Sequence, residues 1–251
     1  RDIFQTIKWP VEKTLNGLDT GLNAVHPIII ILVIGFLAYR YSGKALAIFS
    51  IVTMILIGLM GLWEETLTTL AMVISAVLFC AIVGIPIGIA AGRSDRFEMA
   101  SRPILDAMQT TPSFVYLIPI VMLFSVGNVA GVLATIIFAL PPIIRLTSLG
   151  LRQVHPELVE AAQAFGATNF QVLLRVQIPL AMNSILAGLN QTIMLALSMV
   201  VIAAMIGAGG LGAPVILGLN TLDIGQAVTG GLGIVLMAIV LDRITQSMAK
   251  R

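Results

Sequence analysis

The sequence EAAQAFGATNFQVLLRVQIP, residues 160–179, is a polar segment in a chain that is otherwise almost continuously apolar. Its first residues are good helix formers, and Gly166 is predicted to end that helix because glycine terminates helices at low cost. Apolar residues at helical spacing follow, and Pro179 is predicted to end a second helix. The segment is too polar to span a bilayer, yet hydrophobic segments flank it. We therefore expect two short helices around a glycine turn, lying at a membrane surface where another protein can bind them.

The composition is that of an integral membrane protein. Hydrophobic residues make up 58% of the 251 residues and charged residues only 10%, whereas a soluble domain carries about 25% charged residues. This excludes a soluble enzyme. The formal net charge of +2 is too small to indicate nucleic-acid binding. We predict an all-α, polytopic helical bundle whose polar 160–179 segment forms a cytoplasmic loop.

About seven membrane spans are predicted. The last of them follows a glycine-rich loop at 207–224, and Pro112 and Pro119 interrupt the fourth. The first is short for a bilayer, which needs about 20 residues, and it could include residues before Pro27. The predicted spans are 27–39, 45–63, 67–91, 104–124, 129–149, 184–206 and 226–241.

The basic residues give the predicted orientation. If the spans alternate, 11 of the 14 Lys and Arg lie on the same side as the 160–179 segment, and the loops on the other side carry none. Basic residues in short loops stay in the cytoplasm. We therefore expect a cytoplasmic C-terminus and an N-terminus outside, which moves inside if 27–39 does not span.

Residues 1–25 place apolar side chains at close to helical spacing, with charges between them. An amphipathic helix on the membrane is one interpretation, and a solvated tail that orders only in a complex is the other. The apolar positions are Ile3, Phe4, Ile7, Val11, Leu15, Leu18 and Leu22.

Small residues recur every four positions on two predicted spans. Such stripes let helix backbones approach closely, which matters in lipid because apolar bulk gives no net drive to associate. We expect packing surfaces, either inside the bundle or at a dimer contact. One stripe is Ala76, Cys80, Gly84, Gly88 and Gly92, and the other is Ser184, Gly188, Thr192, Ala196, Ala204 and Ala208.

Neither a catalytic site nor a metal site is predicted. Residues 207–212 match G-x-G-x-x-G, but a dinucleotide site needs a preceding strand, and here a membrane span precedes the motif. The chain has no G-x-x-x-x-G-K-[ST] phosphate loop and no Cys/His/carboxylate cluster at metal-ligand spacing. The middle parts of the predicted spans also lack the ionisable residues that ion-coupled carriers use. Any energy for transport is therefore expected from another chain.

Two groups of polar residues are candidates for a transport path. One surrounds the proline break at Pro112, where freed backbone carbonyls can face a cavity, and the other lies on the span after the polar segment. The alternative is that these side chains form hydrogen bonds between helices. The residues are Gln109, Thr110, Thr111 and Tyr116 in the first group, and Asn190, Gln191 and Met194 in the second.

The polar segment resembles the EAA loop of ABC importer permeases, spanning residues 157–179. Val176 and Ile178 stand where that family more often has Ile and Leu. The flanking sequences FVYLIP (114–119), FALPP (138–142) and NQTIM (190–194) resemble those of the glycine betaine/proline betaine permeases. The residues that match the motif are Glu160, Ala161, Ala162, Gly166, Val176, Ile178 and Pro179.

The resemblance implies the permease subunit of an osmoprotective importer in the bacterial inner membrane. Residues 64–247 would form a type I transmembrane core, with two accessory spans at 26–63. Two copies of the permease would form the pore, and each would bind one ABC ATPase subunit through its loop. ATP and Mg would be bound by the ATPase, so this chain would need no cofactor and would not be an enzyme. A substrate-binding protein, periplasmic or lipid-anchored, would deliver the betaine and recognise it.

Two alternatives remain at the level of sequence. The same machinery could carry choline, carnitine, a sulfonium osmolyte or an amino acid. A self-contained ion-coupled carrier or channel is the other class, and the lack of carboxylates in the predicted spans disfavours it.

Overall fold

Helices account for nearly all of residues 2–249, the part of the chain that this computed structural model describes; side chains are described for residue 6 and residues 8–248. No strand occurs in this range, so the predicted all-α fold is confirmed. Arg1, Lys250 and Arg251, and the side chains of Ile3, Phe4 and Ile7, lie outside the described residues. The helices are α1 (Asp2–Ala24), α2 (Pro27–Ser42), α3 (Lys44–Leu59), α4 (Trp63–Arg93), α5 (Asp95–Thr110), α6 (Leu117–Phe124), α7 (Asn128–Arg152), α8 (Pro156–Ala164), α9 (Asn169–Val172), α10 (Ile178–Ala204), α11 (Gly212–Thr221) and α12 (Ile224–Ala249).

Four helical runs are long and apolar enough to cross a membrane, and two bent helix pairs raise the number to six if each pair is one span. The structure thus confirms a multi-span membrane bundle with fewer candidate spans than the predicted seven. The difference lies in α3, whose 16 residues extend only about 24 Å against a hydrocarbon core of about 30 Å. The four runs are Trp63–Arg93, Asn128–Arg152, Asn169–Ala204 and Ile224–Met248.

Proline produces both bends. His26, before Pro27, has φ −59° and ψ 135°, and Thr111, before Pro112, has φ −71° and ψ 127°. A residue before proline avoids the helical region, so each helix stops there. The helix axes turn by 107° at the first break and by 102° at the second. Pro119 does not interrupt its helix as predicted, because it lies in the first turn of α6, where its missing N–H is not needed.

The α7 helix packs between α4 and α10, and the small residues make this possible. A Cβ on Gly88 of α4 would lie 2.6 Å from Thr147 Cβ, so only glycine fits there. On the other side, a Cβ on Gly188 would lie 3.1 Å from the Cα of Ile143, and the hydroxyl of Thr192 donates to the carbonyl of Ala139 at 3.1 Å. These small-residue stripes are therefore packing surfaces within one chain.

The predicted amphipathic helix is α1, and its apolar stripe packs against the bundle. Val11 and Leu15 are buried in a core cluster that includes side chains of α4, α6, α7 and α10. Thr68 of α4 donates a hydrogen bond to Asp19 of α1 at 3.1 Å. These contacts form within one chain, and they favour the helix over a solvated tail.

The segment 207–224 is not the irregular loop that its glycines suggested. It contains α11, and hydrogen bonds join the start of the segment to α7 and α4. The amide of Gly209 donates to Asn128 Oδ1 at 2.6 Å, and the amide of Leu211 donates to Thr69 Oγ1 at 2.8 Å. Gly207 and Gly210 have positive φ angles, 78° and 80°, which explains the glycines at those positions. This geometry serves a turn and not a nucleotide.

Candidate functional site

The first half of the 160–179 loop is a short helix with a complete glycine C-cap. Pro156 opens α8, and Gly166 follows the helix with φ +81°. The amide of Gly166 donates to the carbonyl of Gln163 at 2.9 Å, and the amide of Ala167 donates to that of Ala162 at 3.1 Å. These two bonds form a Schellman motif, which requires a left-handed residue at the position of Gly166. The predicted glycine stop is thus confirmed.

The second half begins with a capping box and continues straight into a membrane span. The hydroxyl of Thr168 accepts from the amide of Gln171, and the Gln171 side chain accepts from the amide of Thr168. After α9 comes a π-helical turn, Leu173–Gln177, and then α10. The prediction that Pro179 ends this unit is wrong. Pro179 lies in the first turn after the π-helical turn, and the helical run Asn169–Ala204 is continuous over 36 residues.

The loop exposes its motif residues and two aromatic side chains. Glu160, Ala161 and Gly166 are exposed, whereas Ala162 is half-buried. Phe165 is 94% exposed and Phe170 is 66% exposed, in a segment too polar to lie in the bilayer. Sequence analysis did not single out Phe165, although a phenylalanine next to the capping glycine of a polar segment was the available signal. Leu158 and Leu174 extend the same apolar character.

The base of the loop is fixed to the bundle. Val172 and Leu173 are buried, and Leu173 belongs to a cluster with Leu151 of α7 and Ala181 and Ile185 of α10. Val176 and Ile178 are half-buried. A force applied to the exposed face of the loop would therefore reach α10 through a continuous helix and α7 through packed side chains.

Ion pairs tie α5 to α7 near the loop. Arg152, at the end of α7, contacts Asp95 at 2.6 Å and Glu98 at 2.9 Å, and it donates to the carbonyl of Ala91 at 2.8 Å. Arg145 pairs with Asp106. Glu98, Asp106 and the two arginines line a cavity of about 310 Å³. Sequence analysis placed the two arginines on the cytoplasmic side, but only the fold shows that they pair across helices.

The first candidate path group surrounds the bend after α5. The hydroxyl of Tyr116 donates to the carbonyl of Met108 at 2.6 Å, and that of Thr111 donates to the carbonyl of Ala107 at 2.7 Å. The Tyr116 bond satisfies the Met108 carbonyl, which the missing N–H of Pro112 leaves free, whereas the Ala107 carbonyl also accepts from the amide of Thr111 at 3.1 Å. Gln109 and Thr110 are exposed. The group thus contains two residues that cap the break and two that face outward.

In the second group, Asn190 contacts α12, whereas the other two residues do not share its hydrogen bonds. Asn190 donates to Asp242 at 3.1 Å and accepts from the hydroxyl of Thr245 at 2.5 Å, so this amide joins α10 to α12. Gln191 and Met194 are exposed on another face of α10. Sequence analysis missed Asp242 because the predicted span stopped at residue 241, whereas the helical run Ile224–Met248 carries the carboxylate inside the bundle.

Comparison with known protein families identifies the chain. Residues 84–251 match the model of the family described as "Binding-protein-dependent transport system inner membrane component". The chain belongs to this family. The predicted resemblance to ABC importer permeases is thereby confirmed, and the chain is a multi-pass membrane component of a transport system. Permeases of this class work with an ATPase and a substrate-binding protein.

Curated relatives narrow the comparison within the family. The permease is 52% identical over 250 residues to the glycine betaine/proline betaine transport system permease protein ProW of Escherichia coli (strain K12), a match that covers 100% of this chain and 71% of the relative. It is 48% identical over 245 residues to the glycine betaine transport system permease protein OpuAB of Bacillus subtilis (strain 168), covering 98% and 87%. The trimethylamine N-oxide transport system permease protein TmoV of Pelagibacter ubique (strain HTCC1062) is 42% identical, with 86% of this chain and 30% of the relative covered.

Solved structures support the fold. An inward-facing conformation of the MetNI methionine ABC transporter matches with a TM-score of 0.65 at 21% identity, covering 72% of the permease and 91% of that chain. The crystal structure of an amino acid ABC transporter with histidines matches with a TM-score of 0.63 at 22% identity, covering 75% and 92%.

Proposed function

We propose that this permease forms the transport path of an importer for glycine betaine and proline betaine, and that its 160–179 loop couples the path to ATP hydrolysis on another chain. The observation that carries the cargo is the 52% identity, over the whole of this chain, to a relative named for both betaines. The proposed site on this chain is the loop, since its capped geometry and exposed side chains fit a docking element.

The loop has the features of a short, rigid docking element. Ala161 presents almost no side chain, so α8 can enter a surface groove, while Phe165 projects as an anchor that is 94% exposed. Exposed aromatics of this kind dominate the energetics of protein interfaces. We assign ATP and Mg to two copies of the ATPase, one on each permease. Closure of the ATPase dimer would move the loop, and the helical run Asn169–Ala204 would carry that movement into the membrane.

A second copy of the permease completes the path in this proposal. Asn183, Gln191 and Ser198 are exposed along one face of α10, at spacings of seven and eight residues. Polar side chains in a span are costly in lipid, so this face is expected to line water or another subunit. Gln109 and Thr110, also exposed, extend the same polar lining in the proposal. The homodimer would enclose the path between the two α10 faces.

The proposed orientation places the loop and the C-terminus in the cytoplasm of a bacterial cell, with the N-terminus outside the inner membrane. The Lys and Arg residues that lie near the 160–179 loop support this orientation, because basic residues in short loops stay in the cytoplasm. The division into an amphipathic segment 1–25, two accessory helices at 26–63 and a core at 64–247 belongs to the same proposal. The opposite face, near Gly209 and α11, would receive the substrate-binding protein. Betaine recognition by an aromatic cage is assigned to that protein, because only 6% of this chain is aromatic.

The test is solute uptake by proteoliposomes that contain the permease, its cognate ATPase and its binding protein. We expect ATP-dependent uptake of labelled glycine betaine and proline betaine, and none from vesicles prepared without the ATPase. Competition with unlabelled choline, carnitine and trimethylamine N-oxide ranks the other cargos. Uptake by the permease alone, driven by an ion gradient, would overturn the coupling proposal and favour an ion-coupled carrier.

A second cargo has specific support. Relatives named for trimethylamine N-oxide and for glycine betaine/carnitine match at 42% and 48% identity. All of these solutes carry a methylated ammonium group. Uptake of one of them in place of the betaines would keep the mechanism and replace the cargo.

A further inference from the structure

A large apolar groove lies beside the bend between α1 and α2. Its lining comes from the end of α1 and from α2, α4, α10 and α12, and it encloses about 720 Å³. We call it the elbow groove. Every lining side chain is aliphatic, with Leu22 and Val25 at the bend and Leu37 and Ile244 at the opposite end. The volume lies within the range of about 300–1,000 Å³ that is typical of ligand sites.

The groove has the length of one leaflet of a bilayer. On α4 its lining runs from Leu70 to Ala81, a distance of about 16 Å at the helical rise per residue. Half of a hydrocarbon core of about 30 Å is about 15 Å. Three of its walls, α4, α10 and α12, belong to helical runs long and apolar enough to cross a membrane, so we expect the groove to open to lipid. An extended hydrocarbon chain matches both its length and its chemistry.

Charge distinguishes the two ends of the elbow groove. Residues 22–27, at the bend, include no Lys, Arg, Asp or Glu. At the other end, Arg40 follows Leu37 by one helical turn, Lys44 opens α3, and Arg243 adjoins Ile244. All three basic residues are exposed, and in the part of the chain that the structure describes none of them forms an ion pair. By contrast, Arg145 and Arg152 of the same bundle are paired with carboxylates.

The helices at the basic end are packed together, so these cations are held near one another. Ala38 of α2, Ala47 of α3, and Val240 and Ile244 of α12 form a buried cluster there. Basic pockets between membrane helices bind anionic lipid headgroups, each cation contributing through its attraction to phosphate.

We propose that the elbow groove is a binding site for one phospholipid with an anionic headgroup. One acyl chain fills the groove, and the phosphate lies beside Arg40, Lys44 and Arg243. The lipid adds to the contacts that α2 makes with α4, α10 and α12, so it strengthens the attachment of the two-helix unit α2–α3 to the core. The site is independent of the cargo and of the coupling loop.

The first test uses the unmodified, delipidated permease. Single-chain phosphatidylglycerols of increasing chain length are titrated and followed by native mass spectrometry. Each methylene that enters the groove should strengthen binding about fourfold, and the gain should stop once the chain is as long as the groove. A gain that continues without limit indicates micelle-like adsorption and overturns the proposal. Equal binding of phosphatidylcholine would overturn the assignment of the headgroup.

A matched pair of variants on α4 supplies the second test. Val77→Trp places bulk in the groove wall, whereas Val83→Trp places it on an exposed face of the same helix outside the lining. Excluding about two methylenes should weaken phosphatidylglycerol binding about 15-fold in the first variant and leave it unchanged in the second. Arg40→Gln with Lys44→Gln should remove the preference for phosphatidylglycerol over phosphatidylcholine.

Three results would refute the site. Unchanged lipid binding in Val77→Trp shows that the groove is not the lipid's location. Equal losses in Val77→Trp and Val83→Trp, at unchanged melting temperature, show that the lipid binds the outer surface of α4 and not the groove. A groove occupied by a second copy of this chain would give no lipid-dependent signal, and Val77→Trp would then change the oligomeric mass.

Discussion

Replacing Gly166 by valine changes the backbone of the coupling loop without creating a steric clash. Gly166 has φ +81°, and nothing lies within 4 Å of the position that a Cβ would occupy. The only direct penalty is therefore conformational, since a side chain in the left-handed region costs about 1–2 kcal/mol. Two Schellman hydrogen bonds depend on this conformation. Relief of the strain requires that they break and that the loop change shape.

Gly61 offers a matched control at the other end of the bundle. It lies in the turn between α3 and α4 with φ +75°, and nothing lies within 4 Å of its Cβ position either. Gly61→Val should therefore lower the stability of the permease by the same 1–2 kcal/mol or so. The two variants share their cost to folding and differ only in which surface they alter.

The expected result is a separation of stability from coupling. Thermal unfolding should show similar shifts for both variants, while betaine-stimulated ATP hydrolysis in proteoliposomes should fall only in Gly166→Val. A cost of about 1–2 kcal/mol lowers the equilibrium ratio of native to altered loop roughly 5- to 30-fold, and stimulated hydrolysis should fall by up to that factor. Gly166→Asn should restore part of the activity, because asparagine tolerates the left-handed region. Equal losses of hydrolysis in the Gly61 and Gly166 variants would refute the assignment of the loop.

Three further predictions follow from packing and exposure. Phe165→Ala should weaken ATPase binding by about 1 kcal/mol or more while leaving thermal unfolding unchanged, as measured by pull-down and melting curves, since the side chain is 94% exposed. Gly88→Ala should destabilise the permease by about 1–3 kcal/mol, because its Cβ would lie 2.6 Å and 2.8 Å from atoms of α7. Gly231→Ala is the control, because nothing lies within 4 Å of its Cβ position. Equal melting temperatures for the two variants would contradict this prediction. Asp242→Ala should cost about 1–3 kcal/mol by leaving Asn190 with one partner fewer, and Asp242→Asn should cost less; melting curves compare the two.

Much of the candidate site was readable from sequence because it is local. The glycine stop after α8 depends on a few neighbouring residues, and so do its two hydrogen bonds. The small-residue stripe through Gly88 likewise depends on a four-residue spacing that one helix carries by itself. The exposure of Phe165 was not predicted, since an exposed and a buried phenylalanine look the same in sequence.

Errors arose where a helix continued across a residue expected to stop it. Pro179 was predicted to end the loop, but it lies in the first turn of α10, where a proline is tolerated, and the helical run continues through it. The span predicted to stop at residue 241 continues beyond Asp242, because Asn190 and Gln246 satisfy the carboxylate. Such partners lie on other turns or other helices, so hydropathy does not reveal them.

The sequence by itself determined the fold class, the family and the position of the 160–179 loop, because composition, helical spacing and a motif of fixed spacing are properties of the chain read in order. Tertiary structure decided which stripes face each other, how α1 lies on the core, and that Asn190 joins α10 to α12. It also created the elbow groove, whose walls come from five helices spread over more than 200 residues. Contacts between distant segments depend on how the helices pack, and no local pattern specifies that packing.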